Sequence, residues 1–406
     1  MSTSRVAHDP SAPPGHLPAL RAGRKVDNES KRDETHMPLT RRSLVAAPLA
    51  AALTAGTASR PSLAANETEL KAARDYAAKA MPGLDPAVVD GAAAEGKVMV
   101  YRLLMPTGID KLIAAFRAHF PFIQVDSYTS SGGPLYERFR TEIKAGRAIA
   151  DLVMQTTTSA MRTLAGEKLL LNWTPPNDAE VPDRWKDKGV TYPVSLYQMA
   201  LAWNIDAVTK AEETKLAGLK SWDEFLGYKW QSPIGIVHVR SGGTMHLSFY
   251  YLDKAHGRQG FKTLAALRPL VMDSILPMTE RLTAGEVVIV PFASDSTLGG
   301  QFNRGAPLRW VYPEPVLAGP NLLSIATNAP HPNAAKLFLA WSLTPEGQAH
   351  WVVSTDASPA RAGIEDRRPV RAAPWYEPRT NYFDYSWTDI GNDLPRLFEM
   401  FQQEFR

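Results

Sequence analysis

The sequence predicts an α/β protein built from two lobes, and three observations carry this reading. The chain has 406 residues, more than one hydrophobic core usually serves. Between Lys97 and Met154 short apolar runs alternate with helix-like periodicity. Strand, helix, strand, helix, strand with short links argues for a parallel sheet with right-handed crossovers. A second α/β pattern then begins near Ala200.

Taken in order, residues 1–64 read as a precursor. They carry nine basic and five acidic residues out of the 45 Lys+Arg and 42 Asp+Glu of the chain. The remaining chain has 36 basic against 37 acidic residues, a net of −1, so the basic balance belongs to the leader. Nucleic-acid binding thereby loses its compositional support. Arg41-Arg42 stands directly before an apolar, alanine-rich run from Leu44 to about Ala55, and Ser62-Leu63-Ala64 supplies small residues at a cleavage site. This is similar to a bacterial twin-arginine export signal, with cleavage near Ala64 and Met37 as an alternative start. The apolar run is shorter than the ~20 residues a membrane span needs. There is no cysteine, which excludes disulfides, thiolate metal sites and thiol nucleophiles.

Residues 65–91 read as a polar connector with one amphipathic helix, Leu70 to Met81. Lys97 to Arg102 is a buried strand after Gly96. Ile109, Leu112, Ile113 and Phe116 make one helix face that stops before Pro121. Ile123 to Tyr128 alternates as a second strand, and Leu135, Phe139 and Ile143 mark a helix ended by Gly146. Ala150 to Met154 is a third strand. Further on, the pattern gives helices at Trp222–Tyr228, Thr244–Ala255, Gly260–Leu267 and Ala334–Leu343, and strands at Ile234–Val239 and Val287–Phe292. Leu394, Leu397, Phe398, Phe401 and Phe405 form the face of a closing helix. The chain is expected to cross between lobes near Tyr192–Ala202 and Leu308–Pro320, which lack helical periodicity.

Several fragments resemble one family in its order. Glu95-Gly96-Lys97-Val98-Met99-Val100-Tyr101 precedes Phe120-Pro121-Phe122-Ile123-Gln124-Val125. Lys144-Ala145-Gly146-Arg147 precedes Ala150-Asp151-Leu152-Val153. Leu219-Lys220-Ser221-Trp222-Asp223-Glu224-Phe225-Leu226 is followed by Ser241-Gly242-Gly243-Thr244, then by His331-Pro332-Asn333-Ala334-Ala335-Lys336 and Thr344-Pro345-Glu346-Gly347-Gln348. Over residues 92–360 the chain resembles bacterial periplasmic solute-binding proteins of ABC importers, the group of ferric-iron, thiamine and aminoethylphosphonate receptors. The resemblance implies a type II periplasmic-binding-protein architecture with a ligand cleft between two lobes. Lobe 1 is expected over 92–198 and 318–362, and lobe 2 over 199–317 and 363–406. The Pro- and Arg-rich stretch from Gly363 to Trp387 matches poorly.

In parallel α/β sheets ligands gather beyond the carboxyl ends of the strands. Ser130, Ser131 and Gly132 stand at one such junction, and Ser241, Gly242, Gly243 and Thr244 repeat the arrangement in the second region. A helix start offers unpaired N–H donors and a partial positive charge, and glycine admits an anion to the backbone; capping is the structural alternative. Thr156 and Thr157 after the third strand either face the cleft or cap a helix. Ser294 and Asp295 follow a strand where the resemblance places ligand contacts, and Asp295 either neutralises a cationic group or caps. Arg102 and Arg240 lie beside these loops and suit bidentate anion pairing, while Tyr101 and Tyr197 offer aromatic walls.

Two signals are set aside. Tyr250-Tyr251 is similar to the adjacent tyrosines of the ferric receptors but lies inside a helix, where neighbouring side chains diverge by about 100°. The resemblance would put that pair near Asp295-Ser296. The first-strand histidine of those receptors is missing too, the loop reading Leu103-Leu104-Met105-Pro106. Ser241 with His246 has the elements of a hydrolase, but five residues apart at one helix start they lack nucleophile–base geometry. The sequence thus predicts a monomeric periplasmic receptor with no cofactor. It is expected to capture a small anionic solute, a phosphonate, phosphate ester or other organic anion, and to deliver it to an inner-membrane ABC permease. A ferric-iron receptor is the alternative within the family.

Overall fold

The computed structural model describes residues 66–103 and 108–405. The export signal, the cleavage site and most of the Leu103–Pro106 loop lie outside these residues.

The chain begins with α1 (Glu67–Ala80), opened by a capping box between Asn66 and Glu69, and α2 (Pro86–Glu95), capped by Asp85 and ended by Gly96 in the left-handed conformation. Where the sequence suggested a polar connector with one helix, both helices pack into a core through Ala73, Ala77, Met81, Val88, Val89 and Ala92. The small size of these apolar residues hides the face from a periodicity reading. Then follow β1 (Lys97–Arg102), α3 (Asp110–His119), β2 (Gln124–Thr129), α4 (Gly132–Lys144), β3 (Leu152–Gln155) and α5 (Thr158–Gly166). β1 pairs in parallel with both β2 and β3, as the alternating pattern predicted.

β4 (Tyr192–Asn204) is a 13-residue strand buried along its whole length. The second α/β region comprises α6 (Lys210–Gly218), α7 (Trp222–Leu226), β5 (Gly235–Val237), α8 (Gly243–Ala266), β6 (Leu270–Met272), α9 (Ile275–Ala284), β7 (Ile289–Ser294), α10 (Asp295–Phe302) and β8 (Leu308–Val311). Within α8 the residue Gly257 has φ 58° and ψ −151°. This break divides the two helices read from the sequence. β9 (Leu317–Ile325) returns to the first region, followed by α11 (Pro332–Ser342), α12 (Pro345–Thr355) and the closing α13 (Trp387–Glu404).

The main sheet runs β2-β1-β3-β9-β4-β7, with β8 also on β4. β9 pairs antiparallel with β4 from Tyr192 to Met199, after which β4 pairs with β7 and β8. The ladder is continuous through β4, but the apolar core divides. One cluster spans Tyr197 to Leu317 and takes in Val370, Ile390, Leu397 and Phe401. Two others lie on opposite faces of the first sheet: Val98, Val100, Leu152 and Met154 on one, Tyr101 and Val153 on the other. That split follows from the alternation of side chains along a strand. β4 and β9 contribute to the cores at both ends, so they are the crossing strands of a two-lobed α/β fold. The second run expected to cross, Leu308–Pro320, is two strands, and the crossing itself starts at Leu317.

Two carboxylates pin the first region, the buried Asp151 and the half-buried Glu95. Asp151 accepts hydrogen bonds from the backbone N–H groups of Met99 and His331, both at 2.7 Å. Glu95 accepts from the N–H groups of Asn333 and Ala334 at the start of α11.

Candidate functional site

The parallel register of β1, β2 and β3 brings their carboxyl ends to one edge of the sheet. There Ser130 and Ser131 lead into α4, and Thr156 and Thr157 lead into α5. The Gln155 side-chain amide donates to the Gly132 carbonyl oxygen at 3.0 Å, tying the two loops together. Ser131 and Thr157 are the N-cap residues, yet neither side chain makes a capping hydrogen bond. The Ser131 side is exposed and Thr156 and Thr157 are half-buried.

Across from them stands the start of α8. A short 3₁₀ turn, Val239–Ser241, follows β5, and Gly242 then takes φ 135° and ψ −170°, a backbone region open essentially to glycine. The Gly243 N–H donates to the Thr157 hydroxyl at 3.2 Å. An added Cβ at Gly243 would lie 2.6 Å from the Thr156 carbonyl oxygen, so glycine is required for the approach. Gly243 and Thr244 are buried at this junction. The structure therefore brings Gly132, Thr156, Thr157, Gly242 and Gly243 into one neighbourhood, with Ser130, Ser131 and Ser241 on the flanking turns. Three helix starts, those of α4, α5 and α8, bring positive dipole ends to it.

Asp295 is placed differently. It is 1% exposed, accepts the Gln198 N–H at 2.9 Å and faces the Arg368 guanidinium at 3.4 Å. Burial pushes its carboxyl up to about 7 in spite of Arg368. Both oxygens have partners inside the protein, the Gln198 N–H and the Arg368 guanidinium, and Arg368 is shared with Asp366. The Ser294 hydroxyl is buried 3.2 Å from that of Ser296. Arg368 also donates to Asp366, Ser358 and Tyr376. Sequence reading missed it because it is one arginine among several in a Pro-rich stretch.

Of the flanking residues, Arg102 bonds to Ser127 and to the Leu103 carbonyl, and Arg240 stacks on the Phe398 ring at 4.2 Å. The Tyr101 hydroxyl donates to Glu142, and Tyr197 is buried beside Gly319. Tyr250 and Tyr251 pack within the second core, Tyr251 edge-on to Phe383 at 5.2 Å. Among the described residues no group of three or more His, Asp or Glu is placed to hold a metal ion, and no helix is long and apolar enough to cross a membrane.

With this geometry in hand, comparison decides the family. The sequence profile of bacterial extracellular solute-binding proteins matches residues 111–378. The chain belongs to that family. Members bind small solutes for ABC importers, so at this level the chain is a solute-binding receptor. Similar solved structures agree on a two-lobed fold. Iron-bound HitA from Pseudomonas aeruginosa has a TM-score of 0.61 at 18% identity, covering 76% of this chain and 99% of that one. AfuA from Actinobacillus pleuropneumoniae, solved with exogenous fructose-6-phosphate, has a TM-score of 0.61 at 19% identity, covering 76% and 98%. The substrate-binding protein of an ABC transporter from Agrobacterium tumefaciens has a TM-score of 0.61 at 17% identity, covering 76% and 94%. None of the curated proteins matches the chain. The solute-binding family and two-lobed fold expected from the sequence are thus met.

Proposed function

We propose that this protein is a periplasmic receptor that captures a small organic anion, phosphonate or phosphate ester between the α4–α5 and α8 helix starts. The observation that carries this reading is the meeting of Thr157 with the Gly243 N–H across the crossing strands. A solute oxyanion entering there takes over the Gly243 N–H from the Thr157 hydroxyl, with charge-assisted hydrogen bonds to backbone N–H groups. Hinge closure about β4 and β9 completes the site, and the free-energy difference between open and closed complexes drives closure. The closed lobes then present their paired outer faces to an ABC permease.

Lobe 1 in this reading takes 66–198 and 318–362, and lobe 2 takes 199–317 and 363–405. The protein acts as a monomer exported by the twin-arginine route. AfuA, solved with a sugar phosphate, makes phosphate esters a natural first set to screen. Iron-bound HitA keeps ferric iron in the screen, although Asp295 and Ser296 occupy the positions where the sequence resemblance would put paired tyrosines. Hydrolysis by Ser241 is disfavoured by His246. Burial pushes that imidazole down to about 4, which leaves it a weak base near neutral pH.

Thermal-shift screening of the mature protein tests the reading. Phosphate esters or phosphonates are expected to raise the melting temperature and neutral sugars to leave it unchanged. Stabilisation by a neutral sugar alone would overturn the anion assignment.

A further inference from the structure

A cavity of about 470 Å³ opens on the face of β4 that carries Leu196 and Gln198. It shares no lining residue with the junction at Thr157 and Gly243. Its charge is one-sided: Arg361, Arg368, Arg371 and Arg379 line it, against the single carboxylate of Asp366. Asp366 is already shared, 2.8 Å from Arg368 and 3.9 Å from Arg371. The acids that meet the other two arginines point to water. Glu180, paired with Arg361, is 56% exposed, and Glu377, paired with Arg379, is 72% exposed. Such exposed pairs contribute little and yield readily to a better anion. Arg361 and Arg379 are held in place by donating to the Leu343 and Tyr312 carbonyl oxygens, so their guanidinium groups are positioned in advance.

Apart from Gln198, Ser358 and Thr380 the remaining walls are apolar or aromatic, with Pro182, Trp185, Leu196 and Tyr382 among them. A volume of this size exceeds one inorganic phosphate and falls in the range of small-molecule sites. Arginine forks match carboxylate geometry, and the apolar walls suit a carbon skeleton. The position adds a consequence. Trp185 packs with Leu196 and Ala318 of the crossing strands, whereas Arg368 and Arg379 reach Asp295 and Tyr312 on the side of the second core. An occupant touches both sides of the hinge.

We propose that this cavity is a second binding site, for an organic dicarboxylate with an apolar body, and that its occupation is coupled to lobe closure. Coupling of this kind is reciprocal: each ligand changes the affinity of the other by the same factor.

Calorimetric titration of the mature protein with phthalate, succinate and inorganic phosphate tests it, alongside two kinds of variant. Gly243→Leu obstructs the helix-start junction, and Arg371→Ala with Arg379→Ala removes two of the cavity's cations. Arg371→Glu, at an exposed position, reverses one charge where the double variant fails to fold. The expected result is one-to-one phthalate uptake, weaker for succinate and phosphate, retained in Gly243→Leu with only the severalfold loss that coupling to closure implies, and reduced at least tenfold in the arginine variants. Uptake lost in Gly243→Leu and unchanged in the arginine variants would assign the anion to the junction and overturn the proposal. Absence of phthalate uptake by the folded protein would overturn it as well, without bearing on the junction.

Discussion

The Thr157 hydroxyl accepts a hydrogen bond from the Gly243 N–H at 3.2 Å, across 86 positions of sequence and across the two crossing strands. One side of the pair is the uncapped start of α5 and the other the start of α8. Their approach depends on the missing side chain of Gly243 and on the φ of 135° that Gly242 adopts.

That dependence predicts a graded response. Gly243→Val places a Cβ about as close as 2.6 Å to the Thr156 carbonyl oxygen, a backbone atom that cannot swing aside. The junction should part, the radius of gyration measured by X-ray scattering should rise, and anion affinity should fall by at least about tenfold, ~1.4 kcal/mol. Gly242→Ala should cost about 1–3 kcal/mol of stability through backbone strain alone, read as a lower melting temperature.

The Asp295–Arg368 pair predicts a strong single-site effect. Replacing Arg368 by methionine leaves a buried carboxylate without its cation, at a cost of about 3–5 kcal/mol. Combining it with Asp295→Asn should recover part of that loss, because the two residues are coupled. Denaturant unfolding of the two single variants and the double variant measures the recovery. Additive losses would show that the pair is energetically independent.

His246 predicts a pH dependence. Its imidazole is held down to about 4 by burial, against about 6.5 in an unfolded chain. Between those values the unfolded chain binds a proton that the folded protein refuses, so stability falls as pH drops from about 6.5 toward 4. His246→Leu should flatten the melting-temperature profile in that window and leave it unchanged above pH 7. An unaltered slope would contradict the assignment.

How legible this was in the sequence varies element by element. β1 was readable because a short apolar run follows a glycine, and its bounds are as expected, Lys97–Arg102. The glycine-rich helix starts were visible because Ser-Gly-Gly after a strand is a local signal. α1 and α2 were not read as core helices, since mostly small residues, alanine and valine, carry their packing face. β4 hides its nature because Ser195 and Gln198 interrupt an otherwise apolar run; Ser195 is satisfied by Asn321 and Thr355, more than a hundred positions away. The pairing of Asp295 with Arg368 was not legible, because the two stand 73 positions apart and no local pattern announces such a pair.

Export predicts a processed N-terminus. Intact-mass analysis of periplasmic protein should place the first residue near Ala65, because Arg41-Arg42, the apolar run and Ser62-Leu63-Ala64 coincide. A full-length cytoplasmic product would refute this.

The most direct test of the account is calorimetric titration of the mature protein with a phosphate ester, a phosphonate and chelated ferric iron, repeated on Ser131→Ala and Ser241→Ala. The account predicts one-to-one binding of an anion, weakened by about 1.5–3 kcal/mol, roughly ten- to a hundredfold, where a lost hydroxyl had bonded the charged group. Tight ferric binding with a tyrosinate-to-iron absorption band, unaffected by either serine change, would contradict it.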